Sequence, residues 1–211
     1  MLAGSVSPLP AEMADHWWQR PGRTPGRELY HWHVLFHDQP LVRELAATAQ
    51  RRLAGLPGLD LIPMEWLHLT TFIVGFADEV PGDAIEAMVR DAGRRLAEVA
   101  PIPVTLGRVY YHPQAIVLPV EPIGALDPIL AAVRDATAAA GCDGHADTEP
   151  FLPHVSVAYG NRACPAAPFI EALGRRLPSV EVAVRSVSLV AQTQVGHSWQ
   201  WRPVAEVALT G

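Results

Sequence analysis

The stretch Leu67-His68-Leu69-Thr70-Thr71-Phe72 (LHLTTF) is apolar enough for a buried strand, yet it carries an imidazole and a hydroxyl two residues apart. A near copy returns as Pro153-His154-Val155-Ser156-Val157-Ala158-Tyr159 (PHVSVAY). Strand side chains alternate, so His68, Thr70 and Phe72 are expected on one face, and His154, Ser156 and Ala158 on one face of the second strand. Each strand then offers an imidazole about 6–7 Å from a hydroxyl along the backbone. The polar face reads as the wall of a cleft and the apolar face as the side that packs on helices.

The remaining elements arrange themselves around these two phrases. Tyr30–Phe36 (YHWHVLF) has strand composition, with Tyr30, Trp32, Val34 and Phe36 on one face and His31, His33 and Leu35 on the other. Helical periodicity is expected over 41–53, 83–100, 123–140 and 168–177. Strands are expected over 67–76, 102–111, 114–120, 154–159, 180–190 and 199–209, with 102–111 and 114–120 forming a hairpin. Each half places a histidine-bearing strand before a helix and a pair of strands, a pattern of internal duplication. This order predicts an α+β, bilobal duplicated fold: two curved antiparallel sheets flank a central cleft, with helices outside. Residues 1–27, rich in Pro, Gly and Arg, read as an irregular N-terminal arm, and 28–211 as one bilobal domain; Met13 is an alternative start on this reading.

Composition narrows the function. The chain has 211 residues, 49% of them hydrophobic, and a net charge of −6. That is globular, and it argues against an extended nucleic-acid surface, which needs Lys and Arg along one face. No run of roughly 18–20 apolar residues or secretory leader is present, so no membrane association and a cytoplasmic location are expected. Cys142 and Cys164, the only cysteines, form no Cys-x-x-Cys pair, and no Gly-rich phosphate loop follows a strand.

Two imidazoles and two hydroxyls facing one cleft suit the displacement of a phosphodiester. One histidine takes a proton from the attacking oxygen and the other gives one to the leaving oxygen. The hydroxyls donate to the non-bridging oxygens. No metal or cofactor is required. Chance predicts about 0.7 His-x-Ser/Thr triplets in this composition. The weight therefore rests on context: two triplets, both in strand-like runs, at matching points of the halves.

The phrases His68-Leu69-Thr70-Thr71-Phe72 and His154-Val155-Ser156-Val157-Ala158 resemble the paired His-x-Thr/Ser-x-apolar signatures of the 2H phosphoesterase superfamily. That group includes the bacterial proteins called 2'-5' RNA ligases and the plant and yeast cyclic nucleotide phosphodiesterases. The resemblance implies metal-free cleavage of a 2',3'-cyclic phosphate or a 2'-5' linkage, on a small nucleotide or an RNA terminus; a monomer is the expected state, though the sequence does not show it. His68 and His154 would be acid and base, and Thr70 and Ser156 phosphate binders. Many bacterial members carry Arg shortly after the second motif; here Tyr159 stands there, similar to plant-type members. Simple alternation puts Tyr159 on the face opposite His154. The arm HWWQRPGR with YHWHVLF also resembles uncharacterised bacterial members of the 2'-5' RNA ligase family. A nucleotide-binding module without turnover is the alternative.

Other candidates are weaker. His33 is a possible substrate contact. His31 and His33 as a metal pair lack a third ligand at suitable spacing. Trp17, Trp18, Arg20, Arg23 and Arg27 are either an aromatic–cationic nucleotide clamp or an arm packed on the domain. His112, His145 and His197 lie by turn signals and read as surface residues.

Overall fold

The computed structural model describes residues 9–18, 22, 24, 26–144 and 151–211. In chain order the elements are β1 (Glu12–Met13), β2 (Leu29–Leu35), α1 (Pro40–Leu53), β3 (Leu59–Leu61), a 3-10 turn (Met64–Trp66), β4 (His68–Phe76), α2 (Gly82–Leu96), β5 (Ile102–Arg108), β6 (Tyr110–His112), β7 (Ala115–Pro119), α3 (Asp127–Ala139), β8 (His154–Gly160), β9 (Cys164–Pro165), α4 (Ala167–Leu173), β10 (Arg176–Val184), β11 (Ser186–Gln194) and β12 (Trp199–Ala208). Proline opens α1, α3 and α4, where its missing N–H and fixed φ cost nothing.

Each histidine motif lies in its own four-stranded antiparallel sheet, ordered β12-β11-β2-β4 and β3-β8-β7-β6. Two two-stranded ladders, β10-β5 and β1-β9, complete the set among the described residues. Helices α2 and α3 pack on each other and against β12 and β4. The apolar face of β2 lies toward them: Trp32 has no exposed surface, and its Nε1 donates to Thr137 Oγ1 of α3 at 3.3 Å. Helix α1 packs on β8, β10 and α4 through Val42, Leu45, Ala46, Ala49 and Leu53. The expected α+β architecture, sheets with helices on their outer faces, is the observed one.

Several local expectations need correction. The 102–111 segment splits at Val109, and the hairpin is β6–β7 alone. β5 pairs with β10, meeting the segment after β7 only at an isolated Thr105–Glu121 bridge. The run 180–190 is two strands, β10 and β11, divided at Arg185. Strand β3, on the edge beside β8, carries too short a pattern to be read from sequence.

The arm is docked for part of its length. Glu12 and Met13 pair with Pro165 and Cys164, Ala14 N donates to Pro113 O at 2.7 Å, and His16 N donates to Gly160 O at 2.8 Å. Met13 and Trp17 are buried, and Trp18 is exposed. Arg27 is committed to Asp78 and Glu79, with its guanidinium over the Phe76 ring, so it is not part of a ligand clamp. Arg20, Arg23 and His145 lie outside the described residues.

Gly160 permits this docking, because a Cβ there would collide with the Ala14 carbonyl. Gly160→Val should therefore lift the arm from the sheet. The expected result is a melting temperature lowered by several degrees, from an overpacking cost of about 1–3 kcal/mol. Chymotrypsin should then cut at Trp17–Trp18. An unchanged melt and an uncut arm would show that the arm is held elsewhere.

Candidate active site

His68 opens β4 and His154 opens β8. Each follows a short proline-led approach, through Pro63 and the 3-10 turn in one case and Pro153 in the other. Both imidazoles make the same local bond: His68 Nδ1 lies 2.7 Å from Trp66 O, and His154 Nδ1 lies 2.7 Å from Leu152 O. A carbonyl oxygen only accepts, so Nδ1 carries the proton in each neutral ring and Nε2 is the lone-pair nitrogen. Strands β4 and β8 are in contact, which brings the two sheets together at their histidine-bearing strands.

Burial sets the proton affinities. His68 is held down at a pKa of about 4, first by burial and then by the positive charge of His154, against the pull of the Trp66 carbonyl. His154 is lowered from its ordinary value too, first by burial, with the Leu152 carbonyl opposing and the charge of His112 adding. Both rings are surrounded by protein, yet His68 keeps partial and His154 open surface, so a ligand can reach either. Thr70 is exposed and Ser156 half-buried.

The two strands share a further device that simple alternation misses. In β4, Thr70 pairs with His33 and Phe72 with Trp32, so Thr71 is an extra residue. In β8, Ser156 pairs with Val117 and Ala158 with Ile116, so Val157 is an extra residue. A bulge thus follows the hydroxyl in both motifs. Phe72 and Ala158 are turned to the face opposite their histidines, not beside them as expected. Tyr159 is returned to the face of His154 and Ser156.

Backbone carbonyls beside the two bulges take extra donors. Thr71 Oγ1 donates to Trp32 O at 2.7 Å, and Val157 O accepts from Ile62 N at 3.1 Å and from Gln50 Nε2 at 3.0 Å. Buried backbone groups need such partners.

Tyr159 is nevertheless covered. It is 9% exposed, and His16 of the arm stacks on it with ring centroids 3.9 Å apart. Trp17 meets it edge-on at 5.4 Å. Beside it Asp60 accepts from Trp17 Nε1, Asn161 Nδ2 and His197 Nδ1, each at 2.8 Å. A small cavity of about 10 Å³ lies here, lined by His68, Trp66, Tyr159, Asp60, His197 and Trp199 among others. Sequence reasoning missed Asp60 and His16 because nothing in their local pattern marks them; His197 is exposed at a turn as expected, and only the fold brings it to Asp60.

His33, the possible substrate contact, has no exposed surface of its own in this structure. Its Nε2 lies 3.1 Å from Thr70 Oγ1, and its ring stacks on that of His68 at 4.3 Å. His31, 5.2 Å from His33, is turned to Leu29 O through Nδ1. Among the described residues no three His, Cys, Asp or Glu side chains gather as a metal site. Among them, too, no helix is long and apolar enough to cross a membrane.

Comparisons with known proteins bear on the fold and the family. No curated protein matches the chain. Among solved structures, TT0787 of Thermus thermophilus superposes with a TM-score of 0.66 at 20% identity, over 87% of this chain and 98% of that one. E. coli LigT complexed with 3'-AMP gives 0.63 at 18%, over 88% and 99%, and the same protein complexed with NADP+ gives 0.66 at 16% over the same shares. At these identities the likeness is one of fold. The family model of the 2'-5' RNA ligase superfamily matches residues 38–196, both motifs included, and the chain belongs to that superfamily.

Proposed function

We propose that this protein is a metal-independent phosphoesterase that opens a 2',3'-cyclic phosphate or a 2'-5' phosphodiester of a small nucleotide or an RNA end. One observation carries the reading: two imidazoles on contacting strands, each with Nδ1 tied to a carbonyl and Nε2 left to work, each followed by a hydroxyl and a bulge. E. coli LigT complexed with phosphate, ATP, 3'-AMP and NADP+ supports a nucleotide-sized ligand. A neighbour described as a phosphoesterase, at a TM-score of 0.66 and 19% identity, supports the reaction class.

In the hydrolytic direction water attacks phosphorus while one Nε2 accepts its proton. A P–O bond to water forms and the P–O bond to the ribose oxygen breaks. The other imidazole, protonated, gives its Nε2 proton to that leaving oxygen. Thr70 and Ser156 donate to the non-bridging oxygens, where charge builds. The reaction adds one water overall and returns both imidazoles to the opposite protonation state, which solvent resets.

The depressed affinities fit this role once the substrate's charge is counted. Without an anion the pair resists protonation. A phosphodiester anion between the rings favours the charged form and raises both pKa values, so one proton enters with the substrate.

His68→Ala and His154→Ala should each lower turnover of 2',3'-cyclic AMP in excess chelator by on the order of 10² or more. Far-ultraviolet circular dichroism should stay unchanged. Full activity in either variant would overturn the acid–base pair, and binding without product in the wild-type protein would make it a nucleotide-binding module instead.

Proton uptake gives an independent check. Sulfate, which does not titrate between pH 4 and 8, should bind more tightly as pH falls from 8 toward about 4, where free His68 takes its own proton. Calorimetry in buffers of different ionisation enthalpy reads the protons taken up. Binding without proton uptake at pH 6 would contradict the pairing.

A further inference from the structure

The proposed reaction uses two imidazoles, but a third is built into the same face. His33 is paired with Thr70 across the β2–β4 ladder and with Ser188 across β2–β11, and it has no exposed surface. Its Nε2 is 3.1 Å from Thr70 Oγ1 and its ring lies nearly parallel to that of His68, at 16°. Its Nδ1 is buried without a hydrogen-bond partner. By contrast His31, His68 and His154 each turn Nδ1 to the carbonyl two residues back.

These facts decide a tautomer. Burial, then the charges of His68 and His31, hold the His33 pKa well below the ordinary range, so the ring is neutral and has one N–H. If that proton were on Nδ1, a buried N–H would have no acceptor, and Nε2 would consume the hydroxyl proton of Thr70. If it is on Nε2, the orphan is only a lone pair, and Thr70 accepts the N–H with its own proton left over. A buried unpaired donor is the rarer and costlier of the two.

We propose that His33 is a positioning residue: its Nε2–H donates to Thr70 Oγ1, so that the Thr70 hydroxyl proton points to the phosphoryl oxygen, while its ring supports the face of His68. This rests on the reading of the cleft given above. It also accounts for a histidine where an apolar residue would fill a fully buried strand position at less cost.

The test separates the hydrogen bond from the packing. His33→Phe keeps a planar ring and removes the donor; His33→Gln removes the ring and keeps a side-chain N–H near the same place. Thr70→Val removes the hydroxyl at nearly constant shape, and its loss in kcat on 2',3'-cyclic AMP is expected to be on the order of 10²-fold. His33→Phe should then lose about 10-fold or more in kcat with KM little changed. The His33→Phe/Thr70→Val double variant should be no slower than Thr70→Val alone, and His33→Gln should recover most of the rate.

Full activity in His33→Phe, or losses that multiply in the double variant, would overturn the assignment. So would ¹⁵N-histidine spectra of the wild-type protein showing the His33 proton on Nδ1, a readout that does not depend on any variant folding. Full activity in His68→Ala or His154→Ala would instead sink the reaction itself.

Discussion

A carbonyl oxygen two residues upstream of each motif histidine fixes much of what the site can do. By accepting from Nδ1, Trp66 O and Leu152 O hold the rings in one tautomer and one orientation. At both motifs the accepting residue lies ahead of the strand, where the chain bends into it and the carbonyl is outside the ladder. Proline ahead of each strand and the 3-10 turn before β4 supply that bend. The imidazoles are therefore set by backbone geometry, before any ligand arrives.

Placing such rings between two sheets has a cost, and the sheet beneath them shows how it is met. His31, His33 and His68 form a run of imidazoles across β2 and β4, with neighbouring rings 5.2 and 4.3 Å apart. Burial first, and then the charges of His68 and His31, keep His33 neutral; burial first, and then the charge of His154, disfavour the charge of His68. A stacked neutral imidazole still offers a polarisable face to a neighbouring cation. The arrangement resists charge at rest.

Much of this was legible in the sequence. The alternation in YHWHVLF gave the faces of β2 correctly, and the repeated His-x-Thr/Ser phrase located both strands and the family. Phe72 and Tyr159 were misplaced because a bulge moves every later residue to the other face, and the residues that bulge here, Thr71 and Val157, are β-branched strand formers with no sign of irregularity. What stabilises the second bulge, the Gln50 amide on Val157 O, comes from 107 residues away in the chain. The partner of β5 was equally hidden. Its nearest strand-like neighbour in sequence is β7, but β6 takes that edge and β10 takes β5.

The arm side of the cleft poses a charge problem that the structure also resolves. Asp60 lines the same small cavity as His68, and a bare carboxylate there would repel an incoming phosphate. Three N–H groups converge on it instead, from Trp17, Asn161 and His197, engaging both of its oxygens. The first of these comes from the arm, outside the residues that match the family model. The arm thus does more than cover Tyr159: through Trp17 it supplies one of the three N–H groups on Asp60, and through His16 it stacks on the tyrosine, so aromatic rings line much of this wall.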